Sequence, residues 1–187
     1  MFKHLKRFWH FLKKDTWQSW LVSLVLVFVF IKFIFFPLLS FAFDTRLPLV
    51  VVESCSMYHE AGFDYWWDQN SAWYESNKIT KEQFEKYPFK NGINKGDIVI
   101  VTGRGDYDVG DVIIFDSSYA YPLIHRLVDG SPLGTKGDHN GAQLPEEREI
   151  QRSTVLGHAV LRIPALGWIK LIFFEGFKEK EQRGFCR

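Results

Sequence analysis

Cysteine is scarce in this sequence, which contains Cys55 and Cys186 among 187 residues. Two cysteines are too few for a disulfide framework or for a cysteine-rich zinc site. They could form one bridge, but Cys186 lies at the very end of the sequence, so we expect both to remain unpaired. The cysteine content therefore does not indicate the redox state of the compartment.

Other chemical signatures are missing as well. The sequence has no HExxH or CxxC spacing for a metal ion and no glycine-rich loop for a phosphate group, so we expect no metal site and no cofactor. A formal net charge of +1 excludes a nucleic-acid-binding polycation. No internal repeat or glycine-serine linker is present. A hydrophobic content of 47% with 17% aromatic residues excludes a disordered chain.

A long apolar run dominates the N-terminal part of the sequence. Residues 1–15 are a basic leader, and between Asp15 and Asp44 the one charged residue is Lys32. About 20 apolar residues suffice to span a bilayer as a helix, so we interpret residues 16–43 as a transmembrane helix. A cleaved signal peptide is the alternative, but its apolar core would be shorter, about 7–15 residues.

The charges on either side of this helix predict its orientation. The first 14 residues contain five basic residues and no acidic one, whereas Arg46 is the first basic residue after the helix. The N-terminus is therefore expected in the cytoplasm and residues 44–187 on the outer face of the cell membrane. Pro37 is expected to kink or end the helix.

The body of the chain, residues 44–187, is predicted to be mainly β. Short apolar runs bounded by turn residues indicate strands at residues 47–52, 97–101, 111–115, 123–128 and 154–162. Their close spacing favours an all-β domain over a parallel α/β sheet. The apolar run at residues 166–174 is too short to span a membrane, and it either closes the core or rests on the membrane surface.

Residues 60–92 differ from the rest of the body, because tryptophan and tyrosine mix there with acids and amides. We interpret this segment as a mostly helical insertion, with Thr80 as the N-cap of one helix and Gln83 at its third position. Its aromatic side chains form either a small core of their own or an interfacial membrane contact.

A few side chains could provide nucleophilic catalysis. Ser56 follows the first predicted strand, where a serine becomes a nucleophile if a base activates it. Cys55 is a second candidate, although a cysteine beside a strand is more often an apolar filler. His125 lies inside an apolar strand, and as a base it would need a carboxylate such as Asp138 to orient it. Each of these residues could instead have a purely structural role. Asp138, for example, could stabilise a turn.

The order of these elements along the chain resembles that of the type I signal peptidases. The N-terminal anchor is followed by Ser-Met, Gly-Asp-Ile-Val, Gly-Asp-Val-Ile-Ile-Phe, Ile-His-Arg-Leu-Val and Thr-Lys-Gly-Asp-His-Asn, which begin at Ser56, Gly96, Gly110, Ile124 and Thr135. His125 stands where the bacterial branch has a lysine base, so the resemblance is to the branch of archaea and the endoplasmic reticulum. It extends from residue 16 to residue 173, apart from the insertion.

The resemblance implies a signal-peptidase-like β-barrel or sandwich and a membrane-anchored serine endopeptidase that removes signal peptides from exported preproteins. It implies that Ser56 attacks the scissile carbonyl and that His125 is the general base. The Ser56 backbone N–H and the Ser54 hydroxyl would form the oxyanion hole. Substrates would bind as an extended strand against a sheet edge, with small side chains one and three residues before the cut. Whether the translocation machinery or partner subunits take part stays open.

The sequence also departs from the family pattern. No proline stands two residues after the Ser-Met pair, and the insertion begins there. No aspartate follows the Gly-Asp string by a few residues, where relatives carry one that often orients the histidine. We therefore expect Asp138 to orient His125, with Glu146 and Glu147 as alternatives. A catalytically inactive membrane protein that keeps the fold is the second interpretation. A self-cleaving regulator on this fold would use a lysine base and a DNA-binding domain, which the sequence lacks.

Overall fold

The structure is a computed structural model that describes residues 2–119 and 121–186. The chain divides into two compact units, and the boundary falls between Ala42 and Phe43. The first unit is helical. It consists of α1 (Phe2–Leu12), α2 (Trp17–Phe30), a π-helical stretch (Ile31–Phe35) and α3 (Phe36–Phe43).

The last three of these stretches form one helix that is long and apolar enough to cross a membrane. It covers 27 residues, Trp17–Phe43, and an 18-residue stretch within it has a mean hydropathy of 2.7. Pro37 does not end this helix, contrary to one of our expectations, because the chain stays helical up to Phe43. Proline lacks a backbone N–H, and the π-helical stretch directly before it changes the hydrogen-bond pattern where that donor is missing.

The second unit is built on a six-stranded sheet in which every strand pair is antiparallel. Its strand order is β1-β2-β6-β3-β4-β5, so β1 and β5 are the edge strands. The strands are β1 (Leu49–Val51), β2 (Ile98–Thr102), β3 (Val112–Phe115), β4 (Leu123–Gly130), β5 (Leu133–Lys136) and β6 (Val155–Ile163). The prediction of a mainly β body is confirmed, and the structure shows that its sheet is antiparallel. The sequence analysis missed β5, whose Gly134 and following Gly137 suggested a turn.

Buried side chains cover both faces of the sheet at β3. Successive residues of a strand point to opposite faces, and β3 shows the consequence because all four of its residues are buried. Val112 and Ile114 join a cluster with Met57 and Val99, whereas Ile113 and Phe115 join a second cluster on the other face. Strand β3 is therefore packed against a cluster of side chains on each of its two faces.

The insertion is helical, as predicted, and contains α4 (Phe63–Ser76) and α5 (Lys81–Phe84). Thr80 caps α5: its hydroxyl accepts from the Gln83 N–H, and the Gln83 side chain accepts from the Thr80 N–H. Six buried side chains form a core for this segment: Phe63, Trp66, Trp67, Tyr74, Ile79 and Phe84. Of the two expectations for its aromatic residues, the small core is the one the structure bears out.

The last part of the described chain is a short helix followed by a segment with two 3-10 turns, Glu175–Phe177 and Lys180–Gln182. The helix α6 (Trp168–Phe174) buries Leu171 and exposes Ile169, Ile172 and Phe173. Beyond it, Cys186 forms a disulfide with Cys55, with the two Cα atoms 5.6 Å apart. Our expectation of unpaired cysteines is therefore wrong. The fold brings these residues together across a sequence separation of 131, which no local pattern indicates.

Candidate active site

Ser56 lies in the loop that directly follows β1. The core holds this loop at both ends, because the Val52 N–H donates to the Asp97 carbonyl at 2.9 Å and the Met57 carbonyl accepts from the Ile93 N–H at 2.8 Å. Met57 is fully buried, whereas Ser54 is exposed and Ser56 is half-buried. The hydroxyl oxygens of Ser54 and Ser56 are 3.1 Å apart and form a hydrogen bond.

His125 is buried in β4, opposite Ile113 of β3. Its Nδ1 is hydrogen-bonded to Oε1 of Glu147. Because a carboxylate accepts, Nδ1 carries the hydrogen of the neutral ring and Nε2 is left as the acceptor. Nε2 has no hydrogen-bond partner among the described residues, and the His125 side chain is 3% exposed.

The Glu147 carboxylate is held in place from several sides. It is fully buried in a short 3-10 helix, Pro145–Glu147. Oε1 also accepts from the Thr135 hydroxyl at 3.1 Å, and Oε2 accepts from the Leu144 N–H at 2.7 Å. These contacts fix the carboxylate so that it can orient the His125 ring. Glu146, the other alternative, instead bonds the N–H and hydroxyl of Ser118.

The Asp138 carboxylate has no hydrogen bond to His125, which corrects our expectation for this residue. Its fully buried carboxylate accepts from Nη2 of Arg126 at 2.7 Å, from Nε2 of His59 at 2.9 Å and from the Tyr74 hydroxyl at 2.9 Å. The physical reason lies in β4. His125 and Arg126 are consecutive strand residues and point to opposite faces, so a carboxylate paired with one is kept from the other.

The charge of this buried cluster is balanced. Burial alone would raise the pKa of Asp138, but the charge of Arg126 and the hydrogen bonds from His59 and Arg126 outweigh burial and hold that pKa well below its usual range. Burial lowers the pKa of His59 despite its bond to Asp138. Burial and the charge of Asp138 raise the pKa of Tyr74 well above its ordinary value, so its hydroxyl stays a donor. Asp138 thus serves as the anion of an internal ion pair.

The loop after β5 contacts both the Ser56 backbone and the His125 ring. The His139 N–H donates to the Ser56 carbonyl at 2.7 Å. A Cβ atom added at Gly137 would lie 2.9 Å from Nε2 of His125 and 2.6 Å from the Asn140 side chain, so the backbone at Gly137 passes close to the His125 ring. Among the described residues, however, no hydrogen bond links Ser56 to His125.

Lys136 is an ionisable residue whose part in this site the sequence analysis did not foresee. Its side chain is buried, and its Nζ donates to the carbonyls of Gly137 at 3.1 Å and Asp138 at 3.4 Å. Burial lowers the pKa of Lys136 to about 8. In the sequence, Lys136 is part of the Thr-Lys-Gly-Asp string, but that string does not indicate that its side chain is buried.

Aromatic residues of the insertion pack against the buried cluster around Asp138. The His59 ring stacks on Trp66 at 3.7 Å, and the Arg126 guanidinium lies 4.5 Å from the Phe84 ring centre. Arg126 also donates to the backbone carbonyls of Pro88, Phe89 and Gly110. The insertion therefore contributes Tyr74 and its aromatic core to the cluster that holds Asp138.

Comparison of the sequence with protein-family models finds no match, and comparison with curated proteins finds none either.

Proposed function

We propose that this protein is a membrane-anchored serine endopeptidase that removes signal peptides from exported preproteins. The observation that carries the proposal is the Glu147–His125 hydrogen bond, with Nε2 of His125 beside the loop that binds the Ser56 backbone. A carboxylate, an imidazole and a serine in this order are the parts of an acyl-transfer triad. We propose that Glu147 takes the orienting role and that the six-stranded sheet is a signal-peptidase-like barrel.

The reaction proceeds in two acyl-transfer steps. Nε2 of His125 accepts the proton of the Ser56 hydroxyl while Oγ attacks the scissile carbonyl. The tetrahedral intermediate collapses as the imidazolium gives that proton to the leaving amine, which departs as the mature protein. Water then attacks the acyl-enzyme, His125 takes its proton, and the proton returns to Ser56 when the signal peptide leaves.

The negative charge of the intermediate needs donors, and the Ser56 loop has two. The Ser56 backbone N–H donates to no acceptor among the described residues and is free to bind the oxyanion. The Ser54 hydroxyl, 3.1 Å from Ser56 Oγ, is the second donor. The family resemblance implies the same role, binding of the oxyanion, for these two groups.

The membrane span agrees with the proposed substrate class. Residues 44–48 connect the helix to β1, which is a short tether. Signal peptides are cut near the membrane surface, where an enzyme on such a tether meets them at high effective concentration. The basic leader favours a cytoplasmic N-terminus and a domain on the outer face of the cell membrane. The substrates would be exported preproteins, and the translocation machinery is a candidate partner.

The alternative is a membrane-anchored protein that keeps this fold without activity. One observation favours it, because the Ser56 hydroxyl bonds Ser54 rather than His125. Apo active sites often show loose catalytic contacts, which is why we retain the peptidase as the main proposal.

A single assay tests both functions. The full chain is placed in proteoliposomes with a test preprotein, and wild type is compared with Ser56→Ala, His125→Ala and the exposed-serine control Ser153→Ala. We expect cleavage after a small residue by wild type and by Ser153→Ala, and a loss of at least about a thousandfold in the other two. Cleavage by Ser56→Ala would refute the mechanism. Wild type that neither cuts nor reacts with a fluorophosphonate probe would support the inactive alternative.

A further inference from the structure

The end of the chain lies against the loop that carries Ser56. We refer to residues 175–186 as the C-terminal segment. Its last described residue, Cys186, is bonded to Cys55, the residue between Ser54 and Ser56. Buried Lys95 holds the segment at two further points, donating to the Glu175 carboxylate at 2.9 Å and to the Gln182 carbonyl at 2.6 Å. The segment is thus fastened at both of its ends.

The edge strand β1 leads directly to that loop and has one unpaired edge. The Pro48 carbonyl accepts from the Val101 N–H, and the Val52 N–H donates to the Asp97 carbonyl, so these residues face β2. Backbone groups of an antiparallel strand alternate in direction. Leu49, Val51 and Glu53 therefore turn their amides and carbonyls away from β2. This free edge is where an extended peptide could add as a further strand next to Ser56.

The C-terminal segment occupies the end of this free edge nearest to Ser56. Nζ of Lys178 donates to the Glu53 backbone carbonyl at 3.2 Å and lies 3.6 Å from the Glu53 carboxylate. Beside it, a cleft of about 710 Å³ is lined by residues 53–55 on one side and by residues 182–186 on the other. A peptide that paired with Glu53 would have to displace Lys178.

We propose that the C-terminal segment is an autoinhibitory strap, which closes the substrate edge of β1 until a preprotein displaces Lys178. This inference rests on the proposed function, since it concerns the substrate edge of the same site. The disulfide keeps the strap next to Ser56, and the Lys178 ammonium competes with a substrate amide for the Glu53 carbonyl. The strap acts on substrate binding and leaves the groups that do the chemistry untouched.

Two pairs of variants test the strap in the full-length protein in proteoliposomes. Lys178→Ala removes the donor to the carbonyl. Its matched control is Lys170→Ala, because Lys170 bonds the Glu53 carboxylate but not its carbonyl. Cys186→Ser frees the end of the strap, and Cys55→Ser/Cys186→Ser controls for the thiol left beside Ser56. For Lys178→Ala and Cys186→Ser we expect kcat/KM for a preprotein to rise about tenfold through a lower KM, with kcat unchanged.

Labelling of Ser56 by a small fluorophosphonate distinguishes a failure of the strap proposal from a failure of the proposed peptidase function. The probe needs no pairing with β1, so its rate should be the same in all of these proteins and in wild type. If wild type cuts the preprotein and Lys178→Ala and Cys186→Ser cut at the same rate or more slowly, the strap is refuted and the peptidase stands. Equal gains in Lys170→Ala and Lys178→Ala would also refute it. If wild type neither cuts nor labels, the proposed function fails, and the strap fails with it.

Discussion

Two buried carboxylates flank β4, and each has its own partner. Glu147 bonds the His125 ring on one side, and Asp138 bonds the Arg126 guanidinium on the other. An uncompensated charge left in such a place is strongly destabilising, which makes Asp138 and Arg126 depend on each other for stability. Glu147 is held by neutral donors as well as by His125, so its removal should affect chemistry more than folding.

The first prediction at this scale concerns Glu147→Gln. We expect kcat to fall by about 10³- to 10⁴-fold with little change in KM, because the ring loses the carboxylate that sets its tautomer and stabilises its protonated form. Glu146→Gln is the matched control, since Glu146 bonds Ser118, and it should retain wild-type kcat. The measurement is single-turnover cleavage of a preprotein. Equal rates for Glu147→Gln and wild type would remove Glu147 from the mechanism.

The second prediction concerns Lys136, whose pKa burial lowers to about 8. The unfolded chain keeps this proton up to its ordinary pKa near 10.5, so between pH 8 and 10.5 the unfolded state binds more protons than the folded state. Stability must then rise with pH in this window. We expect the free energy of unfolding of wild type, relative to Lys136→Met, to increase by about 2 to 3 kcal/mol from pH 7 to pH 10. Urea unfolding in detergent micelles measures it, and a flat or falling difference would contradict it.

At the scale of elements, the insertion connects its own core to the sheet. Helix α4 contributes Phe63, Trp66 and Trp67 to that core, together with Tyr74, whose hydroxyl reaches Asp138. Asp138 in turn belongs to the loop whose His139 N–H holds the Ser56 carbonyl. The insertion, which begins directly after the Ser56 loop, thus helps to hold the loop after β5 through the Tyr74–Asp138 hydrogen bond.

The prediction at this scale is that Tyr74→Phe destabilises the protein by about 1.5 to 3 kcal/mol, because a buried hydrogen bond to a charged group is lost while the ring is kept. Tyr65→Phe is the control on the same helix, where the side chain is 50% exposed, and should change stability by less than about 0.5 kcal/mol. Urea or thermal unfolding of the full chain in detergent decides between them. Equal effects would show that the Tyr74–Asp138 bond contributes nothing measurable.

At the scale of the whole molecule, a helix able to span a membrane precedes a disulfide-bonded domain. Disulfides persist in oxidising compartments and are rare in the cytosol. The bridge and the basic leader therefore favour the same topology by independent reasoning, with residues 44–187 on the outer face of the membrane.

We accordingly predict that maleimide labels neither cysteine in isolated membranes until a reductant is added, and that it then labels both. Mass spectrometry of the alkylated protein gives the count. Cys186→Ser should carry one label without reduction, which shows that the reagent reaches the site. Protease added to right-side-out vesicles should digest the domain and spare the leader. Labelling of wild type before reduction, or a protected domain, would contradict this topology.

The sequence by itself determined the features that depend on local pattern. Five of the six strands follow from short apolar runs between turns, the capped helix α5 from Thr80 and Gln83, and the long apolar helix from its composition. Strand β5 was missed because glycine weakens the local strand signal. Ser56 and His125 could be proposed as a pair from the order of motifs along the chain.

Only the tertiary structure decided which distant groups meet. The choice of Glu147 over Asp138 follows from the alternation of His125 and Arg126 across β4 and from the course of the loops after β5. The bridge between Cys55 and Cys186, and the burial that shifts the pKa of Lys136, likewise depend on contacts between residues far apart in sequence. Periodicity and capping act over a few residues, whereas partner choice and burial depend on how the whole sheet folds. The sequence could therefore propose Ser56 and His125 but could not identify the carboxylate that bonds His125.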